Sequence, residues 1–228
     1  MLVAIIDYGS GNLRSAAKAF EHVASMDQSI VVTNDPTVLA DASHIVLPGV
    51  GAFADCISGL EAIAGMRAML ETQVLQKCKP FLGICVGMQM LFETGYEHGK
   101  HKGLGWIEGE VVKIGATGNR QQAEVSRMPN VSCLMPLKIP HMGWNDLNLI
   151  APAHPLLKNI QSGDHAYFVH SYHAVCKNNT QAIATTQYGT ALTAIVAKDN
   201  IMGVQFHPEK SQQTGLQLIE NFLKLRNV

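Results

Sequence analysis

The stretch Gly83-Ile84-Cys85-Val86-Gly87 places a thiol between two glycines, where the apolar run Pro80–Ile84 gives way to a helical pattern. The spacing is that of the nucleophile elbow G-x-S-x-G with cysteine in place of serine. Such an elbow sets its nucleophile on a strained strand-to-helix turn above the carboxyl end of a sheet. The amides behind it favour a thiolate and can donate to a developing oxyanion. An unassisted thiol is only a few per cent ionised near neutrality, so a nucleophilic Cys85 needs a base.

"GVQFHPEKS" supplies a candidate about 120 residues downstream. His207 closes an apolar run and Glu209 follows two positions later. Period-two alternation points both to one side, so the carboxylate can hold one imidazole nitrogen while the other faces the thiol. A third element, Pro48-Gly49-Val50-Gly51, ends another apolar run. Its glycines allow a peptide unit to turn its amide toward the thiol, with the Val86 amide as second oxyanion donor. Taken singly, each has a plainer reading: a core cysteine, a capping histidine, a common turn. Their chain order, each at the end of an expected strand, favours the joint reading of Cys85, His207 and Glu209 as a triad.

The elements that must position these groups follow from hydrophobic periodicity. In the first half, strands are expected at Val3–Asp7, Ile30–Thr33, His44–Leu47 and Pro80–Ile84, with helical patterns between them. One helix shows Leu13, Ala17, Phe20 and Ala24 on a face, and a longer one Leu60, Ile63, Arg67, Leu70 and Val74. This alternation is the signature of a doubly wound, mostly parallel α/β sheet. From about Gly103 the strands crowd together: Glu110–Ile114, Leu137–His141, Ala166–Val169, Ala182–Thr186, Leu192–Val196 and Ile201–Phe206, several of them antiparallel. Ser211 is the expected N-cap of a last helix burying Leu216, Ile219, Phe222 and Leu223. Gly115–Asn130 reads as a polar loop. No internal repeat or linker divides residues 1–228, so one domain is expected.

Composition excludes several classes. A formal charge of −1 gives no basic excess for nucleic acid, and no apolar run reaches the roughly 18–20 residues of a membrane span. Met1–Asp7 reaches an acidic residue at once and reads as a strand rather than a signal peptide, which favours the cytoplasm. The five cysteines form no C-x-x-C pair, so neither a zinc ribbon nor a thioredoxin-type motif is expected. His98 and His101 have helical spacing but sit in a glycine-rich stretch, and neither a metal nor a cofactor is called for. "YGSGN" at Tyr8–Asn12 lacks the third glycine of a dinucleotide fingerprint, with Arg14 standing there.

These residues resemble the class I, triad-type glutamine amidotransferases, first through "GICVGMQMLFE" and "FHPE". Within that family the chain is similar to glutaminase subunits that feed a separate cyclase in histidine biosynthesis, through "IDYGSGNLRS", "LPGVGAF", "GLGWIEGEV", "PHMGWN" and "YFVHSYHA". The resemblance implies the class I amidotransferase fold and hydrolysis of glutamine through a Cys85 thioester. It also implies delivery of ammonia to a cyclase subunit built on a (β/α)₈ barrel. Gly51 and Gln89 fall where the family binds glutamine, and the backbone around Ser171 and Tyr172 where it meets the α-amino and carboxylate groups. Asn12, Trp144, Asn145 and Lys210 fall on its cyclase-facing side. The segment Gly115–Pro136 looks longer than the family carries. A further expectation is that the Pro48–Gly51 amide points away from the thiol until liganded cyclase turns it. A paralogous glutaminase serving another acceptor, such as a surface sugar, and a non-catalytic interaction subunit remain alternatives.

Overall fold

The computed structural model describes residues 1–115 and 137–226. Runs of β-branched and apolar residues form the strands that carry the site. β1 (Leu2–Ile6), β3 (His44–Gly49) and β4 (Phe81–Cys85) are buried almost throughout, as parallel strands covered on both faces must be. β2 (Ser29–Thr33) lies at the edge, and none of its residues is fully buried.

Eight strands make the main sheet, in the order β2-β1-β3-β4-β14-β13-β12-β9, with β9 at Asn148–Leu149, β12 at Ala182–Tyr188, β13 at Thr190–Lys198 and β14 at Ile201–Val204. The pairs from β2 to β14 are parallel, and those from β14 to β9 antiparallel. A four-stranded sheet joins β11 (Tyr172–Cys176), β7 (Ile107–Lys113), β5 (Phe92–Gly95) and β6 (His101–Lys102). β8 (His141–Asp146) and β10 (His165–His170) form an antiparallel ribbon.

Helices cover the main sheet. α1 (Leu13–Val23) starts on Asn12, whose side chain accepts from the Ser15 amide, and buries Ala16, Ala19 and Phe20. The last helix, α6 (Gln212–Lys224), lies beside it, with Phe222 edge-on to Phe20. Buried His44 packs edge-on against Phe222 and binds the Leu225 carbonyl, and burial lowers its pKa to about 4, so it sits there neutral. No helix among the described residues is long and apolar enough to cross a membrane.

Several expected boundaries change. The long helix is two, α3 (Phe53–Ala62) and α4 (Met66–Leu70), separated by Gly65 in the left-handed region and continued by a π-helical turn at Glu71–Gln76. Arg67 therefore does not join the buried stripe but pairs with Glu61 and Glu71. The strand expected at Leu137–His141 instead begins at His141, after a cis Ile139–Pro140 bond. The helix after Cys85, α5, is only Val86–Gln89, because the chain turns back to enter β5. Ser211 stands at the N-cap of α6, but its hydroxyl donates to the His207 carbonyl and accepts from the Tyr167 amide. Most of the loop expected at Gly115–Asn130, and of the longer segment Gly115–Pro136, lies outside the described residues.

Candidate active site

Register brings the pieces together. Gly49, the last residue of β3, pairs with Cys85, the last of β4, so the Pro48–Gly51 turn emerges beside the thiol. On the other flank Val204 of β14 pairs with Ile84, which carries Gln205 and His207 past the same end of the sheet.

Cys85 itself takes the strain, with φ +55° and ψ −112°, a conformation that costs a non-glycine residue about 1–3 kcal/mol. The flanking glycines serve a different purpose from bending: they permit close approach. A Cβ on Gly87 would stand 1.8 Å from the Leu47 carbonyl oxygen, and one on Gly83 would stand 2.5 Å from the Gly87 oxygen. Only hydrogen at both positions lets α5 turn back so tightly that the thiol is pushed out above the strand end.

His207 and Glu209 are buried, their side chains each 4% exposed, with His207 Nδ1 2.8 Å from Glu209 Oε1. Their contact does not arise from strand alternation as expected. His207 follows the strand, and Pro208–Lys210 forms a 3₁₀ turn that swings Glu209 back under the ring. The His207 amide donates to the Tyr167 carbonyl, and its own carbonyl accepts from Ser211 Oγ and the Lys210 amide, so the backbone is held on both sides.

The electrostatics join the three groups. Burial opposes a charged imidazole, yet the favourable interactions with Cys85 and with Glu209 outweigh it and push His207 up to about 10. The imidazolium is therefore the resting form. His207 is thus a raised group: its contribution to folding is complete below its unfolded value near 6.5 and is lost as pH rises through about 10. Replacing Cys85 with alanine removes the support that the thiol gives a protonated ring. The His207 titration, followed by NMR of the imidazole, is then expected to fall by about 1–3 pH units, the usual reach of one nearby opposite charge. A titration unmoved by the substitution would separate the two side chains.

A cavity of about 270 Å³ opens onto the thiol, lined by Val50, Gly51, Val86, Gln89, the 169–172 segment and His207. Gln89 is buried, and its Nε2 donates to the Tyr172 carbonyl and to Gln205 Oε1. The Ser171 carbonyl accepts from the Ile114 amide. In the backbone expected to meet substrate, the carbonyls of Ser171 and Tyr172 thus each already accept a hydrogen bond within the fold.

Three contributors were missed in the sequence. Gln205 is fully buried and directs its Nε2 at Cys85 Sγ, 3.7 Å away. Its place two residues before His207 in a strand run was the available signal. Glu97 is the one carboxylate among the described residues that line the cavity, and it accepts from the Phe53 amide at 2.7 Å; no sequence pattern marks it. The "YGSGN" turn holds the Pro48–Gly51 turn: Tyr8 OH donates to the Pro48 carbonyl at 2.7 Å, Ser10 Oγ donates to the Val50 carbonyl, and the Val50 amide donates back to Ser10 Oγ at 3.4 Å. The Val50 N–H is therefore turned onto Ser10.

The residues expected on a partner-facing side occupy surface positions or edges. Trp144 is 48% exposed and packs edge-on to Tyr167, whose ring lies 5.9 Å from Lys210 Nζ. Asn145 is half-buried in β8, and Asn12 caps α1 beside the Tyr8–Gly11 turn.

The glutamine amidotransferase class-I family profile matches residues 4–225. The chain belongs to the class I glutamine amidotransferases. It is 52% identical over 230 residues to a protein of Agrobacterium fabrum named imidazole glycerol phosphate synthase subunit HisH, covering 98% of this chain and 99% of the relative. A protein of the same name from Rhodospirillum rubrum is 49% identical over 227 residues, with the same coverage of each chain. Among solved structures, a glutamine amidotransferase superposes with a TM-score of 0.70 at 16% identity over 99% of each chain, and PurLQS of Thermotoga maritima with 0.65 at 20% identity over 97% of each. These distant structures share the amidotransferase fold.

Proposed function

We propose that this amidotransferase is the cytoplasmic glutaminase subunit of an imidazole glycerol phosphate synthase, a single domain over residues 1–228. It passes ammonia to a cyclase subunit with a (β/α)₈ barrel, which forms imidazole glycerol phosphate and aminoimidazole carboxamide ribotide. The observation that carries the reading is the strained Cys85 beside the buried His207–Glu209 pair, in a chain about half identical to proteins of that name.

In this reading Cys85 Sγ attacks the side-chain amide carbon of glutamine. The carbon–nitrogen bond breaks, and His207 gives its proton to the nitrogen, which leaves as ammonia. Once the sulfur is acylated its charge is gone, and with it the main support for a protonated ring. His207 is then free to take a proton from water as that water attacks the thioester. Glutamate leaves, its new γ-carboxyl group giving up the second proton of that water to solvent, and the thiolate and imidazolium are restored. The Val86 amide, which has no acceptor within its own helix, and an amide of the Pro48–Gly51 turn hold the oxyanion. Glu97 is the carboxylate on the wall suited to the α-ammonium of the substrate, while Gly51, Gln89, Ser171 and Tyr172 shape its seat. Asn12, Trp144, Asn145 and Lys210 form the cyclase-facing side. Ammonia must travel uncharged, because ammonium has no lone pair, so transfer through a closed interface follows.

The Ser10–Val50 contact gives the expected regulation a physical form. The Val50 N–H must leave Ser10 before it can serve an oxyanion, so the free chain hydrolyses glutamine slowly. Glutamate release is therefore expected to be low for the chain alone and to rise by orders of magnitude with cyclase bearing its nucleotide substrate. Ser10→Ala, lacking the latch, is expected to raise the rate of the free chain about 3–10-fold, the value of one hydrogen bond of about 0.5–1.5 kcal/mol. Equal rates with and without liganded cyclase would defeat this regulation. No stimulation by that cyclase, in a chain that still reacts with glutamine, would assign it to another acceptor.

A further inference from the structure

Two histidines in the "PHMGWN" and "YFVHSYHA" segments have no part in the chemistry above. His141 and His170 face each other across the β8–β10 ribbon, in register, with His141 Nδ1 2.9 Å from His170 Nε2. Both rings are buried. Their hydrogen bonds admit one consistent arrangement of protons.

Asn145 fixes the outer end. Its Nδ2 lies 3.0 Å from the Gln187 carbonyl, and its Oδ1 accepts from the Asp146 amide, so the nitrogen and oxygen are unambiguous. That same Nδ2 lies 3.1 Å from His141 Nε2, which must accept. His141 then carries its proton on Nδ1 and donates it to His170 Nε2. His170 in turn carries its proton on Nδ1 and donates to the Tyr172 carbonyl, 2.8 Å away. Burial lowers His141 to about 4; for His170, burial together with its neighbouring histidines, against a smaller opposing hydrogen bond to Tyr172, gives about 3, so both rings stay neutral and the tautomers persist.

The Tyr172 carbonyl is a shared acceptor. It also receives Gln89 Nε2, which reaches Gln205 Oε1, whose amide nitrogen faces the thiol. An unbroken path thus runs from the half-exposed Asn145 on β8 to Cys85. His170 and Tyr172 both line the cavity, while His141 does not.

The geometry points to His141 and His170 as positioning residues: a tautomer-locked relay that sets the 170–172 wall for glutamine and ties it to the partner-facing edge of β8. The inference rests on the glutaminase reading and deepens it. Any docking that moves Asn145 is transmitted to the substrate seat through hydrogen bonds whose direction is already set. Because the relay acts on the seat and not on the reacting atoms, its loss weakens glutamine recognition and leaves the intrinsic reactivity of the thiol alone.

His141→Phe tests this in the full chain. The phenyl ring preserves stacking between Phe168 and Tyr188, which now lie 4.8 and 4.0 Å from the imidazole, and removes both hydrogen bonds. The readout is inactivation by a chloroketone analogue of glutamine, separated into KI and limiting rate, beside alkylation by iodoacetamide, which needs no glutamine seat. The expected result is a KI raised about tenfold, with the limiting rate and the iodoacetamide rate within about twofold of the parent. A merely structural role would instead lower the reactive fraction and leave KI alone, and that result overturns the relay. If far-UV circular dichroism shows His141→Phe unfolded, Asn145→Leu at the half-exposed end takes its place, with a KI increase of about threefold expected. Nitrogen NMR of the parent must also show both rings neutral and Nδ1-protonated at pH 6; an Nε2-protonated His170 overturns the assignment. A parent chain that the chloroketone fails to label would reject the glutaminase reading itself, whereas normal labelling with an unchanged KI in the variant rejects only the relay.

Discussion

Cys85→Ala is expected to abolish glutamine-dependent synthesis by about 10⁴-fold or more, the scale on which removal of a covalent nucleophile acts. The same complex supplied with ammonium salt at alkaline pH should turn over at the parent rate, because the cyclase then receives ammonia without the thioester. The substitution leaves the backbone strain as it was, because alanine at φ +55° keeps the Cβ that causes it, so the fold is kept. The paired assay separates catalysis from assembly: loss of both activities would indicate a damaged interface, and retention of glutamine-dependent synthesis would remove Cys85 from the mechanism.

The second large effect is on stability. Gly87→Ala is expected to cost about 3 kcal/mol or more, a severe loss against the roughly 5–15 kcal/mol of a typical domain. Its Cβ, fixed to the buried backbone of α5, would lie 1.8 Å from the Leu47 carbonyl oxygen, itself part of the backbone of buried β3, so no side-chain adjustment relieves the overlap. Gly163→Ala is the control. Gly163 has φ +97° with open space around it, so alanine there meets strain alone, about 1–2 kcal/mol. Urea unfolding midpoints would rank the two. Equal midpoints would mean that the elbow can relax, and that the two glycines are not there for close packing.

Both predictions turn on the distinction between a residue type and its surroundings. The parallel half of the sheet was legible because its strands are buried on both faces: Val3–Ile6, His44–Leu47 and Phe81–Ile84 are nearly continuous apolar runs, and such runs carry their own signature. The residues of the proposed triad stood out because Cys85 and His207 close apolar runs, where a doubly wound sheet gathers its chemistry, with Glu209 two positions beyond. Strands near the ribbon were less so. β8 begins at His141 and not Leu137, since His141 through Asp146 alternates buried and exposed positions that hydrophobicity alone does not show. The long helix was misread because Gly65 breaks it where the apolar spacing continues unbroken.

What the sequence by itself determined is the set of candidate groups and their order along the chain: a thiol in a glycine-flanked turn, an imidazole and carboxylate after an apolar strand, and the glycines of a third turn. These are properties of residue type and local spacing. Only the tertiary structure decided how they act on one another. Strand order places Gly49 on one flank of Cys85 and Gln205 on the other, although 120 residues separate Gln205 from the thiol. A 3₁₀ turn, and not strand alternation, brings Glu209 to His207. The raised His207, the Ser10 latch on Val50 and the His141–His170 relay depend on distances across different elements and on burial that removes competing water. Neither quantity is a property of any short stretch of chain.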